Sequence, residues 1–185
     1  MTRLYRIIYV DPPWQYRDKA LDGNRGASCK YDVMTAYEIS RLPVEKIADA
    51  HSVLFLWTTY PMLPDAFDII KSWGFTYRTV AFTWIKTDSQ NKWKLGMGSW
   101  TRANAEICLL ATKGKPKRQD AGVSQIIKST PKAHSQKPDI VRQKIIQLCG
   151  DLPRIELFAR TKVYGWDVWG NDKKLQLEPL ETFTK

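Results

Sequence analysis

The stretch IIYVDPPW, residues 7–14, constrains the fold of this 185-residue chain more than any other segment. Ile7, Ile8, Tyr9 and Val10 form an unbroken β-branched and aromatic run. That is the pattern of a strand buried on both faces, as in parallel sheets covered by helices. The run stops at an acid. Pro12 and Pro13 fix φ and remove two backbone donors, so the ladder ends there in a stiff turn whose carbonyls accept hydrogen bonds. Asp11 therefore sits at a strand's carboxyl end, the edge at which open α/β sheets bind ligands. These residues alone also allow a plainer reading, with Asp11 capping a turn and Trp14 filling a gap in the core.

The remaining pattern alternates. Residues 15–34 read as a polar, glycine-containing loop, and 35–47 as short helical turns divided by Pro43. SVLFLWT (52–58) has strand length, and 60–73 places Met62, Ala66, Ile69, Ile70 and Trp73 at helical spacing before Gly74. Residues 77–86 and 105–112 read as strands separated by a long loop, 87–104, and 113–137 as basic and irregular. The segment 137–150 predicts a helix carrying Val141, Ile145 and Leu148, with Pro138 near its start and Gly150 past its end. RIELFAR (154–160) reads as the last strong strand, and 163–171 as a short strand or turn. Strands alternating with helices predict one α/β domain, a mainly parallel sheet with helices on both faces. A loop of the length of 87–104 inside a compact domain points to binding.

Composition narrows the partners. The chain carries 29 Lys+Arg against 19 Asp+Glu, a formal charge of +10, which favours an anionic partner such as nucleic acid. Cys29, Cys108 and Cys149 form no CxxC pair, and the two histidines, His51 and His134, lack metal-ligand spacing, so neither a disulfide framework nor a metal site is expected. No apolar run is long enough for a membrane span and no signal-peptide pattern is present, so a soluble, cytoplasmic protein is expected.

DPPW resembles the [DNS]PP[YFW] motif of amino-group methyltransferases that use S-adenosyl-L-methionine. It is followed in order by KYDVMTAYEI (30–39), HSVLFLWTT (51–59), WGF with FTWIKTD (73–88), AEICLLATKG (105–114), HSQKPD (134–139), RIELFAR and GWDVWGN (165–171). Together these resemble the MT-A70 family of adenine-N6 methyltransferases. That family includes the catalytic subunit of the messenger-RNA N6-adenosine writer as well as bacterial and phage DNA enzymes. The similarity runs from Ile7 to Asn171.

The resemblance implies a permuted Rossmann-like methyltransferase domain, residues 1–171, with the catalytic DPPW strand ahead of the cofactor-binding strand and a charged tail at 172–185. RIELFAR would be the cofactor strand, although it lacks a GxGxxG loop. Asp11 would serve the cofactor's methionine end or the target amine. Lys137 would lie against the cofactor's anionic or ribose groups, and Phe158, Arg160 and Asn171 around its ribose and adenine. Asp172 stands where the messenger-RNA writer has Gln. Only ten residues precede Asp11, so the family's upstream acidic adenine contact has no counterpart here.

The chemistry suits these residue types. An adenine amine is a poor nucleophile because its lone pair is delocalised into the ring. A carboxylate at Asp11 and a carbonyl at Pro12 can each accept one N–H, drawing the nitrogen toward a tetrahedral form, while Pro13 helps to hold both acceptors rigid. Trp14 offers a face on which an extruded base could stack, and Tyr31 would close the pocket. Trp93, Trp100, Arg102, Lys92 and Lys94 in the long loop form an aromatic and basic mixture suited to strand binding. Lys115, Lys117, Arg118, Lys128 and Lys132 form a candidate backbone-binding stripe. Trp57, Trp73 and Trp84 are assigned to the core.

The expected activity is adenine-N6 methylation of DNA, single-stranded or duplex, with low or short-sequence specificity, the chain being short for a separate recognition domain. RNA is the nearest alternative substrate, and cytosine-N4 methylation a further one. A non-catalytic nucleic-acid-binding member of the family and an unrelated nucleotide-binding protein are the other classes. A homodimer or a partner subunit is compatible with all of these.

Overall fold

The computed structural model describes residues 3–15, 33–96, 98, 100–132 and 136–170. Among them, seven strands form one mixed sheet in the order β5-β3-β4-β2-β1-β6-β7. These are β1 (Tyr5–Val10), β2 (Ala48–Thr58), β3 (Thr76–Lys86), β4 (Ala105–Lys113), β5 (Ile126–Ser129), β6 (Arg154–Leu157) and β7 (Asp167–Trp169). Four helices accompany them: α1 (Ala36–Ser40), α2 (Val44–Ile47), α3 (Leu63–Ser72) and α4 (Ile140–Cys149). The apolar run at the amino terminus lies inside the sheet, between β2 and β6, as its two-sided burial requires. β1 pairs in parallel with β2 and with β6.

Alternation along β1 feeds two cores. Tyr5, Ile8 and Val10 pack with α1, α2 and α3, whereas Ile7 and Tyr9 pack with Val141, Ile145 and Cys149 of α4. The helices follow from local signals. Thr35 and Glu38 form a reciprocal capping box at the start of α1. Gly74, at φ 76°, supplies the left-handed turn beyond α3. Both helical patterns read from the sequence are present, the first beginning as a 3-10 turn at Tyr60–Met62.

The sheet is mainly parallel, as expected; β4 alone runs antiparallel to its neighbours β2 and β3, there being no crossover helix among the described residues of 87–104 to return the chain to the same edge. Two expectations are corrected. A strand, β5, lies inside the segment read as irregular, where two isoleucines among lysines are too few to show a period. RIELFAR is strand only to Leu157, since Phe158 turns to φ 61°. The proposed tail, 172–185, lies outside the described residues. Among the described residues no helix is long and apolar enough to cross a membrane.

Candidate active site

The carboxyl ends of β1, β2, β6 and β7 share one sheet edge, and the antiparallel course of β4 brings its amino end to the same edge. Side chains two residues apart on a strand face the same way. Asp11 thus follows Tyr9, Lys86 follows Trp84, and Glu106 precedes Cys108, all on the α4 side. Lys137 enters there from the segment leading into α4. Its ammonium lies 2.7 Å from Asp11 Oδ1 and 3.2 Å from Glu106 Oε2, with only 9% of its side chain exposed. Glu106 Oε1 also pairs with Lys86. An alternating chain of four charges, Asp11–Lys137–Glu106–Lys86, therefore lines the edge.

Aromatic side chains floor it. Lys137 Nζ sits 5.6 Å from the centroid of Trp57, and Lys86 Nζ 5.0 Å from that of Trp84. Trp57 donates its indole N–H to Tyr9 Oη at 2.8 Å. The two tryptophans meet edge to face at 6.5 Å. Both are buried, as assigned from sequence, yet they support the charges as well as the core.

Electrostatics follow from this geometry. Burial pushes the Asp11 carboxyl up, opposed by Lys137 and more weakly by Arg160, while Glu106 adds to the rise. Burial would also raise Glu106, but the ammoniums of Lys137 and Lys86 overcome it and hold that carboxyl below its ordinary value. Lys137 is disfavoured as a cation by burial, yet its two carboxylate partners raise it above the usual lysine range. Lys137 is thus a permanent cation near neutrality.

Both carbonyls of the Pro-Pro turn already accept a backbone N–H. Pro12 O already accepts the Trp14 N–H at 2.9 Å, and Pro13 O that of Met34 at 2.8 Å. A carbonyl has two lone pairs, so Pro12 O retains capacity for one more donor. Trp14 departs from expectation. The turn folds it inward, 5% exposed, with its indole N–H donating to Trp57 O at 3.1 Å. Its face packs in the core and is not open to a base.

The segment expected to hold the cofactor is shaped by backbone as much as by side chains. Phe158 holds a left-handed conformation rare for a bulky residue, of the kind that persists only where surroundings impose it. It packs edge-on against Trp169 at 5.2 Å, and Ala159 N–H donates to Trp169 O. A Cβ at Gly170 would stand 2.3 Å from Ala159 O, so only glycine lets these backbones meet. The β1–β6 register sets this turn next to the end of β1, and Arg160 lies near enough to act on the Asp11 carboxyl. An acid, cations and a backbone turn at one edge form a donor set that fits a zwitterionic amino-acid end and a ribose. Lys137, placed against the cofactor by resemblance, has the two carboxylates as partners here. Tyr31 and Asn171 lie outside the described residues.

The basic stripe divides. Lys128 and Lys132 lie at the active edge, where Lys132 pairs with Asp139 at 2.8 Å. Lys115, Lys117 and Arg118 follow the far end of β4, where Lys115 N–H donates to His51 Nδ1, at the opposite edge of the sheet. Lys92, Trp93, Lys94, Trp100 and Arg102 are exposed on the loop that leaves the active edge. Two acids escaped the sequence reading. Glu106 and Glu156 each stand alone inside an apolar strand, which was the available signal. Glu156 binds Arg142 of α4 through both oxygens, at 2.7 and 2.8 Å, and so clamps α4 to β6.

The MT-A70 family profile matches residues 5–172. The chain belongs to the MT-A70 family. A type II methyltransferase, M.MunI, of Mycoplasma sp is 34% identical over 94% of this chain and 81% of its own length. The MT-A70-like N(6)-adenosine-methyltransferase of Drosophila melanogaster is 29% identical over 84% of this chain, and the human N(6)-adenosine-methyltransferase catalytic subunit METTL3 is 28% identical over the same share. The chain spans about a quarter of these two relatives, 24% and 26% of their lengths. The methyltransferase fold implied by the ordered motifs from Ile7 to Asn171 is thus the family's own.

Proposed function

We propose that this MT-A70 protein transfers a methyl group from S-adenosyl-L-methionine to the N6 amine of adenine in DNA. The observation carrying this reading is Asp11, held by a buried ammonium on a rigid Pro-Pro turn at the carboxyl edge of the sheet. When bound, S-adenosyl-L-methionine supplies an electrophilic methyl on a sulfonium centre. Phe158 and Arg160 would hold its nucleoside part, and Asp11 or Lys137 its charged end.

The chain's own residues act on the amine. Asp11 and Pro12 O each accept one of its N–H bonds, localising the lone pair for attack. Lys137 occupies one acceptor position of Asp11 Oδ1 and leaves others for the substrate. Burial, which raises Asp11, also suits it to take the proton that the methylated nitrogen must lose. Lys137, fixed as a cation, does not serve as that base.

DNA is favoured by the bacterial relative, which covers nearly the whole chain; RNA is the second reading, because two relatives are named adenosine methyltransferases. Radiolabelled S-adenosyl-L-methionine is incubated with single-stranded DNA, duplex DNA and RNA of matched sequence, with Asp11→Ala as control. Label recovered as N6-methyladenine in DNA and absent in the variant is the expected result. Label confined to RNA reassigns the substrate, and equal label in the variant removes Asp11 from the chemistry. Sampling every adenine context tests the expectation of low or short-sequence specificity, which one long invariant site would defeat.

A further inference from the structure

The described residues between β3 and β4 form an arm rooted in the active edge. Thr87 pairs with Trp93, Lys94 N–H donates to Lys86 O at 2.9 Å, and Gly96 N–H donates to Ala103 O at 2.7 Å. A Cβ at Gly96 would meet Ala103 O at 2.3 Å, so the neck closes only with glycine there. Asp88 braces the first turn, accepting the N–H groups of Gln90 and Lys92 at 2.9 Å each. Thr130, beyond β5, donates its hydroxyl to Asp88 O at 3.1 Å. Yet this braced arm presents Trp93 at 66% and Trp100 at 98% exposure to solvent.

The arm's charge identifies what fits those rings. Lys92, Lys94 and Arg102 face one acid, Asp88, whose carboxylate is used by the turn, and Lys128 is exposed beside the root. Protein interfaces are depleted in lysine, whereas single-strand sites combine cations with aromatic faces. A duplex hides its base faces; an unpaired strand offers them. We infer that the arm is a stacking platform for the unpaired nucleotides flanking the target base, gripping their phosphates with Lys92, Lys94 and Arg102. This rests on the nucleic-acid methylation reading and adds to it a preference for single-stranded or opened substrate. Lys86 joins the two sites, since its backbone carries the arm and its ammonium pairs with Glu106 of the charge chain.

The test separates binding from chemistry. Fluorescence anisotropy is measured with a labelled oligothymidine single strand, which contains no adenine, and with a duplex of the same length. Trp93→Ala combined with Trp100→Ala should weaken single-strand binding about tenfold, the effect of losing stacked bases, and leave duplex binding unchanged. Trp100→Phe should bind close to the parent. In methylation assays the double variant should raise KM for single-stranded DNA by a similar factor at unchanged kcat. Undiminished single-strand affinity in the double variant would overturn the proposal, as would an equal loss on the duplex. A loss accompanied by a lower mass in light scattering would overturn it too, making the arm a protein interface. Strand binding that depends on the tryptophans, without methylation of any substrate, would uphold the platform while defeating the activity reading.

Discussion

Lys137 Nζ lies 2.7 Å from Asp11 Oδ1 and 3.2 Å from Glu106 Oε2, so one ammonium ties the acid ending β1 to an acid that opens β4. Three strands are thus coupled electrostatically, since Glu106 also holds Lys86 of β3. In the proposed reaction Asp11 acts as the carboxylate, and its neighbours shift the pH at which that form exists.

Replacing Lys137 by Met removes the charge that opposes the burial of Asp11. The proposed reaction uses the carboxylate, so a further rise in its pKa should move the acid limb of kcat/KM to higher pH. The rate at neutral pH should fall about 100-fold, as when one preorganised electrostatic partner is lost. Stability should fall by about 3 kcal/mol, the lower range for breaking a buried pair, because Asp11 keeps 21% side-chain exposure. A pH–rate profile checks this; an unmoved acid limb would remove Lys137 from control of Asp11.

Glu106→Gln should move the same limb the other way. The charge of Glu106 raises Asp11, so a neutral isostere lowers the Asp11 pKa and carries the acid limb to lower pH. It also leaves Lys137 with Asp11 as its one carboxylate partner among those described here. Opposite shifts in the two variants would establish a coupled chain, since a merely structural loss moves both rates without moving either limb. Matching shifts in one direction would refute it.

The central strand and its terminal acid were legible because a doubly buried strand has an unbroken apolar signature and Pro-Pro ends it without ambiguity. The partners of Asp11 were less so. Lys137 is indicated by resemblance alone, and Glu106 is a single acid inside the apolar AEICLLAT. Its meaning depends on β4 running antiparallel, which sets its amino end beside Asp11. Phe158 sits in the strand-like RIELFAR, and only its packing on Trp169 and the close approach of Ala159 to Trp169 and Gly170 show why the chain turns there.

Trp14→Phe distinguishes packing from stacking. Phenylalanine keeps an aromatic face but has no N–H for Trp57 O, which would stay buried without that donor. The expected cost is about 2 kcal/mol, a Tm lower by roughly 5 °C in a domain of this size. The KM for an oligonucleotide should be unchanged. A raised KM with an unaltered Tm would return Trp14 to the substrate pocket.

Charge reversal at the two ends of the sheet tests which basic residues meet the substrate. Lys128 stands at the carboxyl end of β5, on the active edge, whereas Lys115, Lys117 and Arg118 follow β4 at the far end. About six residues of β2 separate Ser52, paired with Lys113, from Thr58, paired with Ile107, or roughly 20 Å along the strand. That exceeds the Debye length of about 8 Å at physiological salt, so the far cluster is screened from a strand lying at Asp11. Lys128→Glu should weaken oligonucleotide binding and lower the dependence of log K on log salt by about one for the contact removed. The triple change at Lys115, Lys117 and Arg118 should leave both nearly unaltered. If the triple variant instead loses the larger part of the salt slope, the bound nucleic acid extends around the sheet to its far edge.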